Sequence, residues 1–137
     1  NVTWQHSDLS HAVLTGARLD SLEGCVLIGA HLDGVLLTGC DLTQVPEVEE
    51  ADRNMRLAQL QKVQAPGRCL RGFVFDRALM MSINLRGATL DKCQLRYCDM
   101  RNADLRGATF LSCSFHGANL AGVLLEGASL ERCSFLE

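Results

Sequence analysis

Residues 103–127 read ADLRG ATFLS CSFHG ANLAG VLLEG, and this stretch decides the fold because one pattern is written five times. Each unit begins with a small residue and carries a large apolar residue at its third position. A five-residue period fits neither an α-helix, which repeats about every 3.6 residues, nor a strand, which repeats about every two. It fits a chain that turns a corner in each unit, with the small and large residues pointing inward.

The pattern extends through most of the 137 residues. Every fifth residue from 70 to 135 is large and apolar, fourteen positions in succession. Nearer the N-terminus the same spacing runs from 4 to 19 and again from 22 to 42, offset by a slip of two residues near Asp20. Eleven of the twelve glycines lie two residues after a large position, at a corner where a Cβ would crowd the chain. We therefore expect a solenoid whose coils stack about 4.8 Å apart.

Composition restricts the functional classes. Hydrophobic residues make up 47% of the chain but aromatic residues only 5%, so Leu, Ala, Val and Cys must fill the core. A net charge of −3 disfavours a strongly basic nucleic-acid binder. No apolar run approaches the roughly 18 residues that cross a bilayer, so we expect no membrane segment. Asn1, in place of an initiating Met, favours a module of a longer protein.

The units Ala103–Gly107, Ala118–Gly122 and Ala88–Leu90 resemble the A(D/N)LXX units of pentapeptide-repeat proteins. The resemblance implies an all-β solenoid, a right-handed quadrilateral parallel β-helix with four units per coil, in which residues twenty apart stack. The core residues that this rule places in shared columns are Leu85, Leu105 and Leu125; Phe75, Phe115 and Phe135; and Cys93, Cys113 and Cys133.

An insertion interrupts the repeat between Leu42 and Leu70, because the 28 residues that separate them are not a multiple of five. Pro46 with the acidic residues after it is typical of a helix start, and Pro66-Gly67 is typical of a helix end. These signals predict an α-helix from about 46 to 63.

The predicted organisation is one structural domain with three parts: repeat coils over 1–43, the helical insertion over 44–67 and repeat coils over 68–137. Whether the two repeat blocks form one continuous rod or two stacks is open at this point. Leu57 and Leu60 lie off the apolar face of the predicted helix. They either widen its buried stripe or form an edge that binds a partner.

The seven cysteines are predicted to be packing residues, because six of them occupy the small inward position and no CxxC pair occurs. A core-directed set of thiols favours a reducing compartment, the cytoplasm. Cys69 alone is predicted to point outward, which makes it the candidate reactive thiol. The four histidines fall at outward positions without a catalytic or metal-binding spacing, so the sequence predicts neither an enzyme nor a cofactor.

The outward charges differ along the chain. Residues 1–43 carry a balance of −4 and residues 68–137 a balance of +2. Four arginines follow large inward residues in the C-terminal part: Arg86, Arg96, Arg101 and Arg106. They either form local ion pairs with Asp99 and Asp104 or make up a docking surface for an acidic partner, and the sequence leaves both alternatives open. Nucleic acid is disfavoured because Tyr97 is the one aromatic residue at the outer positions of that C-terminal part.

These observations favour a non-catalytic protein–protein interaction scaffold, a module of a larger intracellular protein whose partner the sequence does not identify. The family resemblance also implies an alternative, a DNA-mimic inhibitor of DNA gyrase of the quinolone-resistance type, which needs a broadly acidic rod. No helical cap follows Phe135. The C-terminal coil is therefore expected to form a homodimer or to continue into further residues.

Overall fold

The computed structural model describes residues 4–43, 45 and 53–136, and the chain over these residues winds as a parallel β-helix. One face of the solenoid carries a four-stranded parallel sheet in the order β1-β2-β3-β4. Leu70 pairs in register with Leu90, and Phe110 with Leu130. The expectation that residues twenty apart stack is thus confirmed on this face. The strands are β1 (Cys69–Arg71), β2 (Thr89–Asp91), β3 (Thr109–Leu111) and β4 (Ser129–Glu131).

The other three faces are held by single parallel bridges instead of strands of three residues. One face pairs Asn54 with Val74 and Val74 with Gln94. The next pairs Gln59 with Leu79, and the last pairs residues 64, 84, 104 and 124 in succession. Every bridge between two residues that both lie after residue 53 joins residues twenty apart, so each of these coils has four faces and four inward columns.

The coils before residue 54 have other lengths. Asp8 pairs with Val26, eighteen residues on, because the slip near Asp20 shortens this coil by two residues. Leu36 pairs with Gln59, twenty-three residues on. The backbone N–H of Leu37 donates to the Gln59 carbonyl at 2.8 Å. The insertion therefore adds only three residues to one coil, and the coils on its two sides are hydrogen-bonded to each other.

The predicted helix over 46–63 is wrong where the structure describes it, at residues 53–63; residues 46–52 lie outside the described part. Met55 and Leu60 are buried in the solenoid core, at large inward positions. The repeat resumes at Met55 in the same register as Leu70. The register is hard to recognise in the sequence because two residues depart from the pattern. Ala65 is too small for its large inward position, and Arg68 is too large and too polar for its small inward position.

The core columns are buried along most of the stack. Leu85, Leu105, Phe75, Phe115, Cys93 and Cys113 are all buried. Their partners in the last described coil are less covered: Leu125 is 42% exposed, Phe135 is 49% exposed and Cys133 is half-buried. The same kind of side chain thus has a different environment according to its place in the stack. Within the described residues, no helix has the length and apolar content that crossing a membrane requires.

Two leucines of one column test this stacking. Leu105 is 1% exposed, so Leu105→Ala should lower the free energy of unfolding by about 2–5 kcal/mol, the usual cost of a buried Leu cavity. Leu125→Ala, in the last described coil, should cost less than half as much because solvent already reaches that side chain. Chemical denaturation of both variants measures the difference, and equal losses would contradict the stacking order.

Candidate interaction surface

The outward side chains of this solenoid include the residues at its corners, where the backbone has positive φ. Glycine occupies many corners, but Leu57, Arg77 and Tyr97 also adopt φ between 56° and 59°. An L-residue in this left-handed region costs about 1–2 kcal/mol that glycine avoids. These three corners therefore display large side chains at a cost to stability, and all three belong to one edge of the stack.

Arg96 is one of the four arginines singled out in the sequence, and it is paired within the chain. Its Nη2 donates to Asp76 Oδ2 at 2.5 Å, and its backbone N–H donates to Asp76 Oδ1 at 3.0 Å. The hydrogen bonds that the guanidinium donates to Asp76 raise the pKa of Arg96. Asp76 is buried, and it lies one coil before Arg96. This pair joins successive coils.

Arg101 and Arg106 also form ion pairs, each with the aspartate two residues before it. Arg101 Nη2 lies 2.7 Å from Asp99 Oδ2, and Arg106 Nη2 lies 2.6 Å from Asp104 Oδ2. The arginine side-chain hydrogen bonds hold the pKa values of both aspartates below the ordinary range. Arg86, by contrast, is exposed and forms no ion pair with any carboxylate of the described residues.

The two leucines of the predicted insertion have opposite environments. Leu60 is 2% exposed and fills the core, so the prediction that it binds a partner is wrong. Its position belongs to the large inward column that continues with Met80 and Met100. Leu57 is 62% exposed at a corner. It remains a candidate for partner binding.

A surface that the sequence reading missed surrounds Arg77, and we call it the Arg77 corner. Leu57 occupies the same corner one coil earlier and Tyr97 one coil later, because the bridges on both sides join residues twenty apart. Leu79 follows Arg77 at the next outward position. Leu57, Leu79 and Tyr97 are 62%, 36% and 53% exposed. One arginine is thus bordered by three exposed apolar side chains.

Tyr97 is held in a fixed orientation at this corner. The Arg77 guanidinium lies over its ring, 5.7 Å from the centroid. His116 meets the ring edge to face at a centroid distance of 5.2 Å. On the next coil, a Cβ added to Gly117 would lie 2.5 Å from Tyr97 Cδ1, so the ring occupies the space that this glycine leaves.

The positive charge at the Arg77 corner is only partly compensated. Arg77 forms no ion pair with a carboxylate of the described residues, and neither does Arg56, which precedes Leu57. Of the two acids in the column of Arg56, Asp76 is paired with Arg96. The other, Asp33, accepts a hydrogen bond from Thr15 Oγ1 at 2.8 Å. The twenty-residue spacing of 57, 77 and 97 would have revealed this surface, but the predicted helix removed Leu57 from the register.

The cysteines behave as core residues. The Sγ of Cys93 donates to the Leu70 carbonyl at 3.2 Å, and the Sγ of Cys113 donates to the Leu90 carbonyl at 3.3 Å. Burial raises the pKa of Cys40 to about 11 and that of Cys98 to about 12, so both thiols stay protonated at neutral pH. Cys69 is exposed, as its outward position predicts.

The structure offers little concave surface for chemistry in its described residues. An apolar cavity of about 20 Å³ lies beside Ala65, whose small side chain takes a place that Leu42 and Leu85 fill elsewhere in the column. A polar groove of about 280 Å³ lies near the Arg18–Asp20 ion pair. No group of three or more His, Cys, Asp or Glu side chains over 4–43 and 53–136 could hold a metal ion.

Coils of about twenty residues, parallel bridges on four faces and corners at positive φ define the chain as a parallel β-helix solenoid. A family profile described as Pentapeptide repeats matches residues 75–110, 83–120 and 113–137. Residues 75–137 therefore carry the repeats of the pentapeptide-repeat family, as the resemblance of the sequence units implies.

Comparison with the solved structure of HetL gives the same fold. HetL, a pentapeptide repeat protein involved in heterocyst differentiation regulation from Nostoc sp. strain PCC 7120, is 26% identical with a TM-score of 0.70. The match covers 94% of this chain and 62% of HetL, so this chain spans about three-fifths of that protein. A pentapeptide repeat protein from the Arabidopsis thaliana thylakoid lumen is 20% identical, with a TM-score of 0.34, and the match covers 71% of this chain and 59% of that one.

QnrB1 with the R167E substitution, described as a plasmid-mediated fluoroquinolone resistance protein, is 16% identical with a TM-score of 0.31. That match covers 92% of this chain and 68% of the QnrB1 chain. A comparison with curated protein sequences finds no match.

The Arg96–Asp76 pair should contribute more to stability than the more exposed pairs. The Asp76 side chain is 6% exposed, so Asp76→Ala removes a buried partner of Arg96 and should lower the free energy of unfolding by about 2 kcal/mol. The loss is not larger because solvent can hydrate the Arg96 guanidinium. Asp99→Ala, the matched control, should cost under about 1 kcal/mol. Thermal and chemical denaturation compare the two, and an equal or reversed order would refute the structural role of Asp76.

Gly117 should be more sensitive to substitution than another corner glycine. Gly87→Ala meets no atom within 4 Å and carries only the cost of positive φ, about 1–2 kcal/mol. Gly117→Ala should cost more because its Cβ also displaces the Tyr97 ring. In a Tyr97→Ala background, Gly117→Ala should cost the same as Gly87→Ala. If Tyr97→Ala leaves the cost of Gly117→Ala unchanged, the ring does not lie on this glycine.

Proposed function

We propose that this chain is a non-catalytic scaffold that binds a protein partner through its outward side chains. The observation that carries the proposal is the Arg77 corner, where Leu57, Leu79 and Tyr97 border an arginine without an ion pair in the described chain. The β-helix fills its interior with apolar side chains, which leaves chemistry to the outer surface. Tyrosine and arginine are among the residues that contribute most to protein–protein affinity.

A non-catalytic role is supported by the form of the surface. Catalytic sites are usually concave and bring a few polar groups together. The Arg77 corner is convex, and the cysteines that could act as nucleophiles are mostly buried and hydrogen-bonded to carbonyls. A role in regulation, as described for HetL, is one that a binding module can perform. The free, buried thiols also support the cytoplasm as the compartment.

The alternative, an acidic rod that imitates DNA and inhibits gyrase, is less well supported by the charges. Asp76, Asp99 and Asp104 each carry an arginine ion pair. These pairs neutralise three of the seven acids of residues 68–137. A continuous acidic face is therefore interrupted over residues 76–106.

The test is capture of partners from a reducing cell extract with the full chain as bait. The variants Arg77→Glu, Lys62→Glu and Arg86→Glu each reverse one charge, the first two at different corners and the third beside the Gly87 corner. Circular dichroism checks that each variant folds. We expect one saturable protein partner that is lost with one variant and kept by the others. A partner set that no surface variant changes, or inhibition of gyrase supercoiling by the native chain, would overturn the proposal.

A further inference from the structure

We propose that the Arg77 corner is a preformed docking site for an acidic segment of a protein partner, one that carries a carboxylate next to apolar side chains. This inference rests on the proposed scaffold function and names the surface and the chemistry of its partner. The carboxylate would pair with the Arg77 guanidinium. The apolar side chains would cover Leu57, Leu79 and Tyr97.

The geometry matches a short extended segment. Leu57, Arg77 and Tyr97 lie on three successive coils, so they span two coil spacings, about 10 Å. An extended peptide advances about 3.3 Å per residue and covers that distance with three or four residues. A carboxylate at the centre of such a segment would meet Arg77. Side chains two residues before and after it lie on the same face of the segment and would reach towards Leu57 and Tyr97.

The unpaired positive charge of Arg77 favours a negatively charged partner. Arg101 and Arg106 have their carboxylates two residues away, and Arg96 has Asp76, so a partner would have to displace those acids. Arg77 has no such competitor within the described chain. Its apolar neighbours would exclude water from a new ion pair, which strengthens the pair relative to an exposed one. An acidic segment therefore gains more at Arg77 than at the other arginines.

The site is ordered before a partner arrives. Tyr97 stands between the Arg77 guanidinium and the Gly117 backbone, with His116 against it, so little side-chain freedom remains to be lost on binding. The Tyr97 hydroxyl accepts or donates no hydrogen bond to a described residue, so it is available to a partner. A nucleobase would need an open ring face to stack on, and Arg77 and Gly117 flank both faces of this ring. The arrangement favours a peptide.

Arg86 provides a matched control. It is exposed and has no ion pair in the described chain, as is true of Arg77, but it lies one residue before a corner that is glycine on three coils: Gly67, Gly87 and Gly107. Its charge acts on the Asp104 carboxylate. An acidic segment would find a positive charge there without the exposed apolar side chains of the Arg77 corner. Arg86 therefore separates general electrostatic attraction from docking at the Arg77 corner.

The experiment is fluorescence anisotropy with the full chain at low ionic strength. The probe is a labelled peptide in which Glu and Leu alternate at every second residue with Gly between them, so that both lie on one face of an extended chain. It is compared with the same peptide carrying Lys in place of Glu and with a single-stranded oligonucleotide of equal charge. We expect the Glu-Leu peptide to bind most tightly. Arg77→Glu and Tyr97→Ala should each weaken it at least about tenfold, and Arg86→Glu should leave it within about twofold. Tyr97→Phe keeps the ring stack and tests the hydroxyl separately.

Three results would overturn the inference: no binding of the Glu-Leu peptide, tighter binding of the oligonucleotide, or an equal loss with Arg86→Glu. The scaffold function fails separately from this inference. A partner found by capture whose binding survives both Arg77→Glu and Tyr97→Ala would leave the scaffold in place and refute the Arg77 corner.

Discussion

Backbone hydrogen bonds between successive coils are the constraint on which the rest of this structure depends. The N–H of Thr89 donates to the Arg68 carbonyl at 2.8 Å, and the N–H of Thr109 repeats this bond to Ala88 one coil later. Once the coils are joined in this way, each inward side chain must pack on the equivalent side chain of the next coil. Large apolar residues therefore meet large ones, and small residues meet small ones, along each column.

This constraint requires inward side chains to stack in columns, but it does not require every coil to have the same number of residues. The coil that joins Asp8 to Val26 has eighteen residues, and the coil that joins Leu36 to Gln59 has twenty-three. The first still stacks Leu9 on Leu27 and the second still stacks Leu37 on Leu60, so the inward columns continue across both changes of length. The insertion therefore adds three residues to one coil of a solenoid whose coils on both sides of it are hydrogen-bonded to each other.

The sequence predicts the period, the inward columns and the corners, because large apolar residues recur at every fifth position from Leu70 to Phe135 and the glycines in that range all lie at corners. It misleads around Ala65 and Arg68, where side chains of the wrong size occupy inward places and the acidic run after Pro46 imitates a helix start. The ion pair between Asp76 and Arg96 follows from the twenty-residue rule. The sequence does not predict which arginines remain unpaired, because ion pairing depends on the positions of side chains on neighbouring coils. The repeat pattern does not determine those positions.

The filled interior confines variation in function to the outer surface. Corners at positive φ favour glycine, so Leu57, Arg77 and Tyr97 stand out on one edge as large side chains kept at a cost. Leu57 contributes to that edge only because residues 53–63 belong to the solenoid. The account of fold and function therefore depends on one point, the register of the coils before residue 64.

The most direct measurement of that register is a set of backbone contacts between coils in an NMR nuclear Overhauser experiment on the full chain. The account predicts contacts of Val13 with His31, of Leu36 with Gln59 and of Thr89 with Thr109, at separations of eighteen, twenty-three and twenty residues. Amide contacts between residues three apart throughout 53–63, or the absence of the contact between Leu36 and Gln59, would contradict it.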